Sequence, residues 1–411
     1  MSRRVVVTGI GAITPIGNNV DQFWSALKEG ISGVDRITQF DASEYPVKIA
    51  AELKDYNPKD FLDRKDAKRM ERFSQFAVIA AGEALAMSGL KVTEDNCDKI
   101  GTFIGSGMGS LGMIEEEEQR LLEFGPLKVA PLIIPKIIVN MAAGNVAIKY
   151  GLKGPSHCIV SACASGSHSI GEAFRNIKFG IMDVAVTGGT ESCITPMGIA
   201  GFSALTALSV NPDPKKASRP FDGGRDGFVM GEGAGILVLE ALDHALERGA
   251  TILAEIAGYG ATTDAYHMTS PAPGGIGGAK AMTLAIQEAG LLPTDVDYIN
   301  AHGTSTPYND KFETEAIKVT LGEHAYKVAI NSTKSMTGHL LGAAGGVEAV
   351  VCIKSIQDNY LHPTINQEID DPECDLDYVP NVGRSTEVNV ALTNSLGFGG
   401  HNATLLFKKY K

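Results

Sequence analysis

Val5-Val6-Val7-Thr8-Gly9-Ile10-Gly11 returns in altered form as Ile256-Ala257-Gly258-Tyr259-Gly260, each an apolar run ending on two glycines one residue apart. Runs of this kind read as buried strands, and the same opening at the head of two parts of one chain reads as a duplicated fold. Each part also closes on a glycine-marked strand pair. Besides Val5–Thr8, strands are expected at Ile100–Ile104, Val184–Thr187, Ile236–Leu239, Ile252–Ile256, Val296–Ile299, Val328–Ile330, Val388–Leu392 and Leu405–Phe407. Helical spacing lies between them: Phe73, Phe76, Ala77, Ala80 and Ala81 form one stripe, Ile170, Ala173, Phe174 and Ile177 another. The alternation points to a layered α/β architecture. Its seam is expected near Gly249-Ala250, giving halves 1–250 and 251–411, and no Pro/Ser-rich linker marks it. Two halves sharing one core fit better than two independent beads.

At 411 residues the chain exceeds one ordinary domain of ~100–200 residues. Its 44% hydrophobic and 20% charged residues supply a large core and exclude disorder. The 47 glycines are about 11% of the chain, against ~7% usually, and imply tight turns and close backbone contacts. Thirty-six basic against 48 acidic side chains leave a formal charge of -12, which excludes nucleic acid and membrane surfaces as general partners. An acidic partner would have to meet a local basic patch. The six cysteines, 97, 158, 163, 193, 352 and 374, form no CxxC pair, and reduced thiols in a cytosol are the simplest reading. Arg3-Arg4 precede only Val5-Val6-Val7, too short for a signal-peptide core, and Lys136 interrupts the nearest candidate for a ~18-residue membrane span. A soluble, cytoplasmic protein is expected.

Two glycine motifs carry little chemistry. Gly9-Ile10-Gly11 meets Thr14 and Pro15 where a dinucleotide-binding fingerprint would have its third glycine, so a tight turn is expected. Gly105-Ser106-Gly107-Met108-Gly109 lacks the Lys-Ser/Thr of a phosphate loop and reads as a turn close to a ligand. Ser161-Ala162-Cys163-Ala164-Ser165-Gly166 is more informative. It sets a thiol among small residues where the Ile170/Ala173/Phe174/Ile177 helix begins, and a helix start is expected to lower a thiol's pKa. A lone cysteine is more often a small buried hydrophobe, so the rest of the chain has to shift that balance.

The second half shifts it. Asn300-Ala301-His302-Gly303-Thr304-Ser305-Thr306-Pro307 puts a histidine just after a strand, and Asn331-Ser332-Thr333-Lys334-Ser335-Met336-Thr337-Gly338-His339 adds a lysine and a second histidine. Glu348 falls in an apolar, glycine-rich run where an unpaired carboxylate would be costly, and Lys334 is its natural partner. Asn394-Ser395-Leu396-Gly397-Phe398-Gly399-Gly400-His401-Asn402 joins two strands through a glycine loop that can offer an N–H to an oxyanion and swing its phenyl ring as a gate. HExxH and clustered Cys/His spacings are missing, so a catalytic metal has little support.

Cys163 in SACASG, His302 in AHGTSTP, Lys334 and His339 in STKSMTGH and the GFGGHN loop closely resemble the β-ketoacyl-acyl carrier protein synthases, in family order and over essentially the whole chain. The likeness is greatest to the synthase II branch of bacterial fatty-acid synthesis. It implies a thiolase-like fold of two similar halves in five layers, α-β-α-β-α, and an obligate homodimer. It implies that the Cys163 thiolate takes an acyl group from a carrier protein while the N–H groups of Cys163 and Phe398 hold the oxyanion. Malonyl-carrier protein would then lose carbon dioxide, and its enolate, held by His302 and His339, would attack the acyl-cysteine. Lys334, paired with Glu348, would orient His339.

The same resemblance assigns the neutral phosphopantetheine arm, carried by the acyl carrier protein, to Thr269, Ser270, Thr304 and Thr306, and asks for no cofactor of the enzyme's own. Met108 and Phe202 would line an acyl tunnel, position 108 often being a branched aliphatic residue in the family. Some members hold a monovalent cation near positions matching Asn300, Glu348, Asn394 and Ser395. The carrier protein is acidic, and in the helix-like stretch Asp63–Phe73 the residues Arg64, Lys65, Lys68, Arg69 and Arg72 fall at helical spacing as one exposed basic stripe that would dock it, with Thr206 where some members have a further Arg. A degradative thiolase would need a second cysteine where the glycine loop holds Phe398 and His401, and an initiating synthase would show a His/Asn pair. Retention of Cys163 argues against a catalytically silent partner subunit.

Overall fold

In the computed structural model, which describes residues 2–411, the chain runs β1 (Val5–Ile13), α1 (Arg72–Ser88), β2 (Ile100–Gly105), α2 (Met141–Tyr150), β3 (Ser156–His157), α3 (Ser165–Lys178), β4 (Val184–Glu191) and β5 (Gly233–Ala241). The same succession then recurs as β6 (Ala254–Thr263), α4 (Ile276–Glu288), β7 (Tyr298–Asn300), α5 (Pro307–Leu321), β8 (Ala329–Asn331), α6 (Ala344–Asp358), β9 (Val390–Gly397) and β10 (His401–Lys408), with further helices and two-residue strands in the connections.

Gly9 and Gly11 lie inside β1, not in a turn as the sequence suggested. The cause is a close approach between strand and helix. A methyl group on Gly9 or Gly11 would collide with the carbonyl oxygen of Ala84 or Ala80 in α1, and one on Gly258 or Gly260 with that of Ala285 or Ala281 in α4. The repeated glycine pair therefore encodes the same packing twice, backbone against backbone.

These ten strands form one mixed sheet in the order β8-β7-β9-β10-β6-β1-β5-β4-β2-β3. Outward from the antiparallel β6–β1 junction, where Val5 faces Ile256, the two sides repeat each other. β1–β5 and β6–β10 are antiparallel, as are β5–β4 and β10–β9. β4–β2 and β9–β7 are parallel, as are β2–β3 and β7–β8.

Helices α3 and α6 pack against each other and against strands of both sides, forming the middle of five layers. α1 and α2 cover the outside of the first half, and α4 with α5 the outside of the second. Because α6 has sheet on both sides it is buried all round from Ala344 to Ile353, which is why its sequence shows no polar stripe. The central core gathers Val5, Ile10, Ile170, Phe174, Val347, Val350, Leu405 and Phe407 from both halves. Parallel strand ends of both halves, and the helices that follow them, thus point their first turns at one region.

Candidate active site

The cysteine comes from the end of β3. The chain leaves that strand through a tight turn, Ala162–Ala164, and enters α3. Ala162 holds a left-handed φ of 51°, a strained conformation for a residue with a side chain. Ser165 fastens the turn from below, its Oγ donating to the Ala162 carbonyl (2.7 Å) and accepting from Ser161 N–H (2.9 Å). Cys163 is 8% exposed and reaches a cavity of about 390 Å³. Burial pushes its thiol up to about 12, against the opposing pull of Lys334 and of the N–H groups of Phe398 and Cys163 that face the sulfur. This corrects the expectation that the helix start lowers the thiol. Removal from water outweighs the favourable dipoles, and the buried Glu191 adds to the upward shift.

Both histidines come from segments that follow strands of the second half, His302 directly after β7 and His339 beyond the short helix Lys334–Thr337 that follows β8. After β7, the N–H groups of His302 and Gly303 donate to Glu313 at 2.8 and 2.7 Å, and those of Thr304 and Ser305 to Asp310 at 3.0 and 3.2 Å. The first turns of α5 thereby clamp the His302 loop. After β8, His339 accepts at Nδ1 from Leu341 N–H at 3.2 Å, which places the proton of a neutral ring on Nε2. The two imidazoles stand 5.2 Å apart and nearly perpendicular at 85°. Burial holds both far below the usual histidine range, with Lys334 adding to the effect, so both are neutral at neutral pH. Lys334 and Glu348, each 2% exposed, are paired through Nζ and Oε1. Burial keeps the Glu348 carboxyl at about 7 in spite of its partner.

The β9–β10 hairpin closes the site from above. Gly397 faces His401 across it and packs against the Ser161–Ala164 turn, while Gly399 and Gly400 take φ values of 85° and 74° that favour glycine. Cys163, His302, His339, Phe398 and Phe202 all line the same cavity, together with Thr269, Ser270, Thr304 and Thr306. Thr206 lines it too.

Other sequence expectations fall elsewhere. Met108 does not line the cavity; its N–H is held by Glu191 (3.2 Å) in the turn after β2, and its side chain is exposed. The basic stripe is not one helix either. Arg64, Lys65, Lys68 and Arg69 are exposed on the short helix Arg64–Arg69, which stops at the extended Met70. Arg72 opens α1 instead, with its guanidinium 2.5 Å from the buried Glu232 and over the Tyr56 and Phe76 rings.

Three buried acids escaped the sequence reading. Glu313, raised by burial to about 6, and Asp310 anchor the His302 loop. Glu191 gathers the N–H groups of Gly107 (2.7 Å), Met108 (3.2 Å) and Gly342 (3.1 Å) and the Ser106 hydroxyl (2.9 Å), tying the turn after β2 to the segment after His339. The available signal was the pair Asp310 and Glu313, three residues apart just after a loop whose N–H groups needed acceptors.

A fold duplicated in this way, with a cysteine at the head of its central helix, defines the class of thiolase-like acyltransferases. Residues 2–245 match the family model "Beta-ketoacyl synthase, N-terminal domain" and residues 253–368 the model "Beta-ketoacyl synthase, C-terminal domain". The chain belongs to the β-ketoacyl synthase family. It is 54% identical over 410 residues to the 3-oxoacyl-[acyl-carrier-protein] synthase 2 of Synechocystis sp., covering 100% of this chain and 99% of that protein. Among solved structures, a β-ketoacyl synthase from Burkholderia phymatum superposes with a TM-score of 0.91 at 38% identity, and both chains are covered in full, 100% each. A type II polyketide ketosynthase, bound to a hexaketide and in complex with its acyl-carrier protein, gives a TM-score of 0.92 at 35% identity, again with 100% of each chain covered.

Proposed function

We propose that this chain carries out the decarboxylative condensation that elongates fatty acids, joining malonyl-acyl carrier protein to an acyl group held on Cys163 and releasing carbon dioxide and 3-oxoacyl-acyl carrier protein. The observation that carries the reading is a single cavity lined by a thiol from the first half and two neutral imidazoles from the second. In the first step the Cys163 sulfur attacks the acyl thioester, and the N–H groups of Phe398 and Cys163, which already face the sulfur, receive the oxyanion; its collapse breaks the bond to the carrier's sulfur, which leaves with the proton given up by the Cys163 thiol as free carrier protein. In the second, the malonyl carboxylate leaves as carbon dioxide and its electron pair becomes an enolate. His339, with its proton on Nε2, and His302 donate to that oxygen. A neutral donor keeps a full proton transfer out of the step, which leaves the enolate carbon free to form the new bond and expel the cysteine sulfur. Lys334, held by Glu348, sets the field at both rings and touches no substrate.

The Arg64–Arg69 helix supplies the local cation surface that an acidic carrier protein requires, and the related polyketide ketosynthase was solved in complex with its acyl-carrier protein. A second copy of the chain is proposed to cover the apolar surface around Leu122, Ile134 and Leu127, the last 96% exposed, and to meet the exposed edge strand β3. The units 1–250 and 251–411 are proposed as the two functional halves, the first bringing the thiol and the second the imidazoles.

Among the described residues no cluster of three or more His, Cys, Asp or Glu suits a metal ion. A monovalent cation is a different case. Asn300 Oδ1 and Glu348 Oε2 are buried oxygens without a hydrogen-bond partner, so these two residues fit one. Asn394 Oδ1 and Ser395 Oγ, engaged with Thr404 and Ser167, fit less well. A bound cation would supply positive charge beside Glu348.

Among the described residues no helix is long and apolar enough to cross a membrane, and a cytoplasmic place of work is part of the proposal. The test is direct. Acyl- and malonyl-carrier protein incubated with the enzyme should yield a 3-oxoacyl-carrier protein longer by two carbons, and decarboxylation without that product would overturn the assignment.

A further inference from the structure

His168 is the fourth residue of α3, so it stands one turn beyond the nucleophile, yet it does not line the cavity and the chemistry above does not use it. Its Nδ1 lies 2.6 Å from the hydroxyl of the buried Ser161, the residue before the strained Ala162. Its other side faces the hairpin that carries Phe398. There the ring meets His401 edge-on, with centroids 6.4 Å apart at 87°, and contacts the Asn402 backbone, while Tyr259 of β6 packs at 6.2 Å. His401 is itself the residue paired with Gly397 across the hairpin, and its imidazole packs against Gly399. One imidazole thus bridges the turn that sets the sulfur and the loop end of the hairpin.

The protonation state suits that bridge. Burial holds the ring at about 4, with His401 and Arg175 adding to the effect, so it is neutral at neutral pH. A neutral ring that accepts at Nδ1 from the Ser161 hydroxyl carries its proton on Nε2, free for the Asn402 backbone.

We propose that His168 is a positioning residue that locks the nucleophile turn to the Phe398 hairpin, and so keeps the Cys163 sulfur and the Phe398 N–H at a separation fit for acyl transfer. The inference rests on Cys163 being the nucleophile. Acylation needs both groups together. Decarboxylation of malonyl-carrier protein needs the imidazoles of His302 and His339, and the second-half imidazole that His168 meets is His401 instead.

The test follows Cys163 acylation over time by intact-protein mass, with acyl-carrier protein as donor, alongside carbon dioxide release from malonyl-carrier protein. His168→Phe keeps ring volume and removes the hydrogen bond. It should slow the maximal acylation rate by at least about fivefold, with KM for the carrier protein unchanged and decarboxylation within about twofold. His168→Asn, whose amide oxygen can accept from Ser161, should recover most of the rate, and a merely space-filling role would not produce that recovery. Ser161→Ala should share the defect, and the double variant His168→Phe/Ser161→Ala should be no slower than either single one. Additive losses, a His168→Phe protein that acylates at the normal rate, or equal losses of acylation and decarboxylation would each overturn the proposal. A Cys163→Ala protein run in parallel separates this from failure of the parent reading, because acylation of that variant would remove the nucleophile itself.

Discussion

Replacing Lys334 by methionine keeps most of the side-chain volume and leaves Glu348 alone in the core. Both residues are 2% exposed, and breaking one side of such a pair destabilises by about 3–5 kcal/mol. The loss should depend on pH in a way the structure fixes. Glu348 titrates at about 7 with Lys334 beside it, against 4.5 for an ordinary glutamate. Between those values the folded protein holds the proton that the unfolded chain releases, so stability falls as pH rises, in the parent and the variant alike. Above about pH 7 the parent ionises Glu348 and its slope vanishes. Without Lys334 the carboxyl stays protonated to higher pH, and the gap between the two proteins should widen by about 1.4 kcal/mol per unit from pH 7 upward. Urea unfolding at fixed protein concentration, at intervals between about pH 6 and 9, reads the gap directly. Adding Glu348→Gln should flatten the dependence and return much of the lost stability. A gap that is constant across this range, or that persists unchanged in the double variant, would refute the pairing argument.

Other perturbations test other parts of the structure. Gly258→Ala puts a methyl group into the Ala285 carbonyl of α4, and should destabilise by about 1–3 kcal/mol or more in thermal unfolding; a neutral effect would contradict the close strand–helix contact. His362 is wholly buried and held at about 4 by burial, so it opposes acid: its contribution is intact above about pH 6.5 and is lost as pH falls below that value. The stability difference between the parent and His362→Asn should therefore shift by about 2 kcal/mol between pH 7.5 and 5, and no shift would place the ring in water. Reversing charge at Lys65 and Lys68 should raise KM for acyl-carrier protein several-fold, about 1 kcal/mol or more, and leave a small acyl thioester unaffected; equal effects on both substrates would rule out docking there.

The central strands were legible in the sequence because burial on both faces leaves long β-branched runs, and every expected strand has its counterpart. β3 was missed for the opposite reason. Ser156 and His157 sit exposed at the sheet edge, where no apolar pattern is required. The glycine pairs were noticed but taken for a turn, since sequence shows that a side chain is missing without showing what occupies its place. Cys163, His302 and His339 stood out through their small, glycine-flanked settings.

Glu191, Asp310 and Glu313 did not stand out, because their partners are backbone N–H groups, and those belong to every residue type. The thiol's proton affinity was misjudged because a helix start is visible in a sequence while the depth of burial around it is not.

Everything proposed for the chemistry depends on the thioester forming at one sulfur and on the two imidazoles acting only afterwards. Peptide-resolved mass spectrometry after mixing with acyl-carrier protein measures this most directly. One acyl group should appear on Cys163 in the parent, His302→Ala and His339→Ala proteins, with chain extension on malonyl-carrier protein lost in the two histidine variants. Acyl mass on any other residue, or extension that survives in both histidine variants, would contradict it.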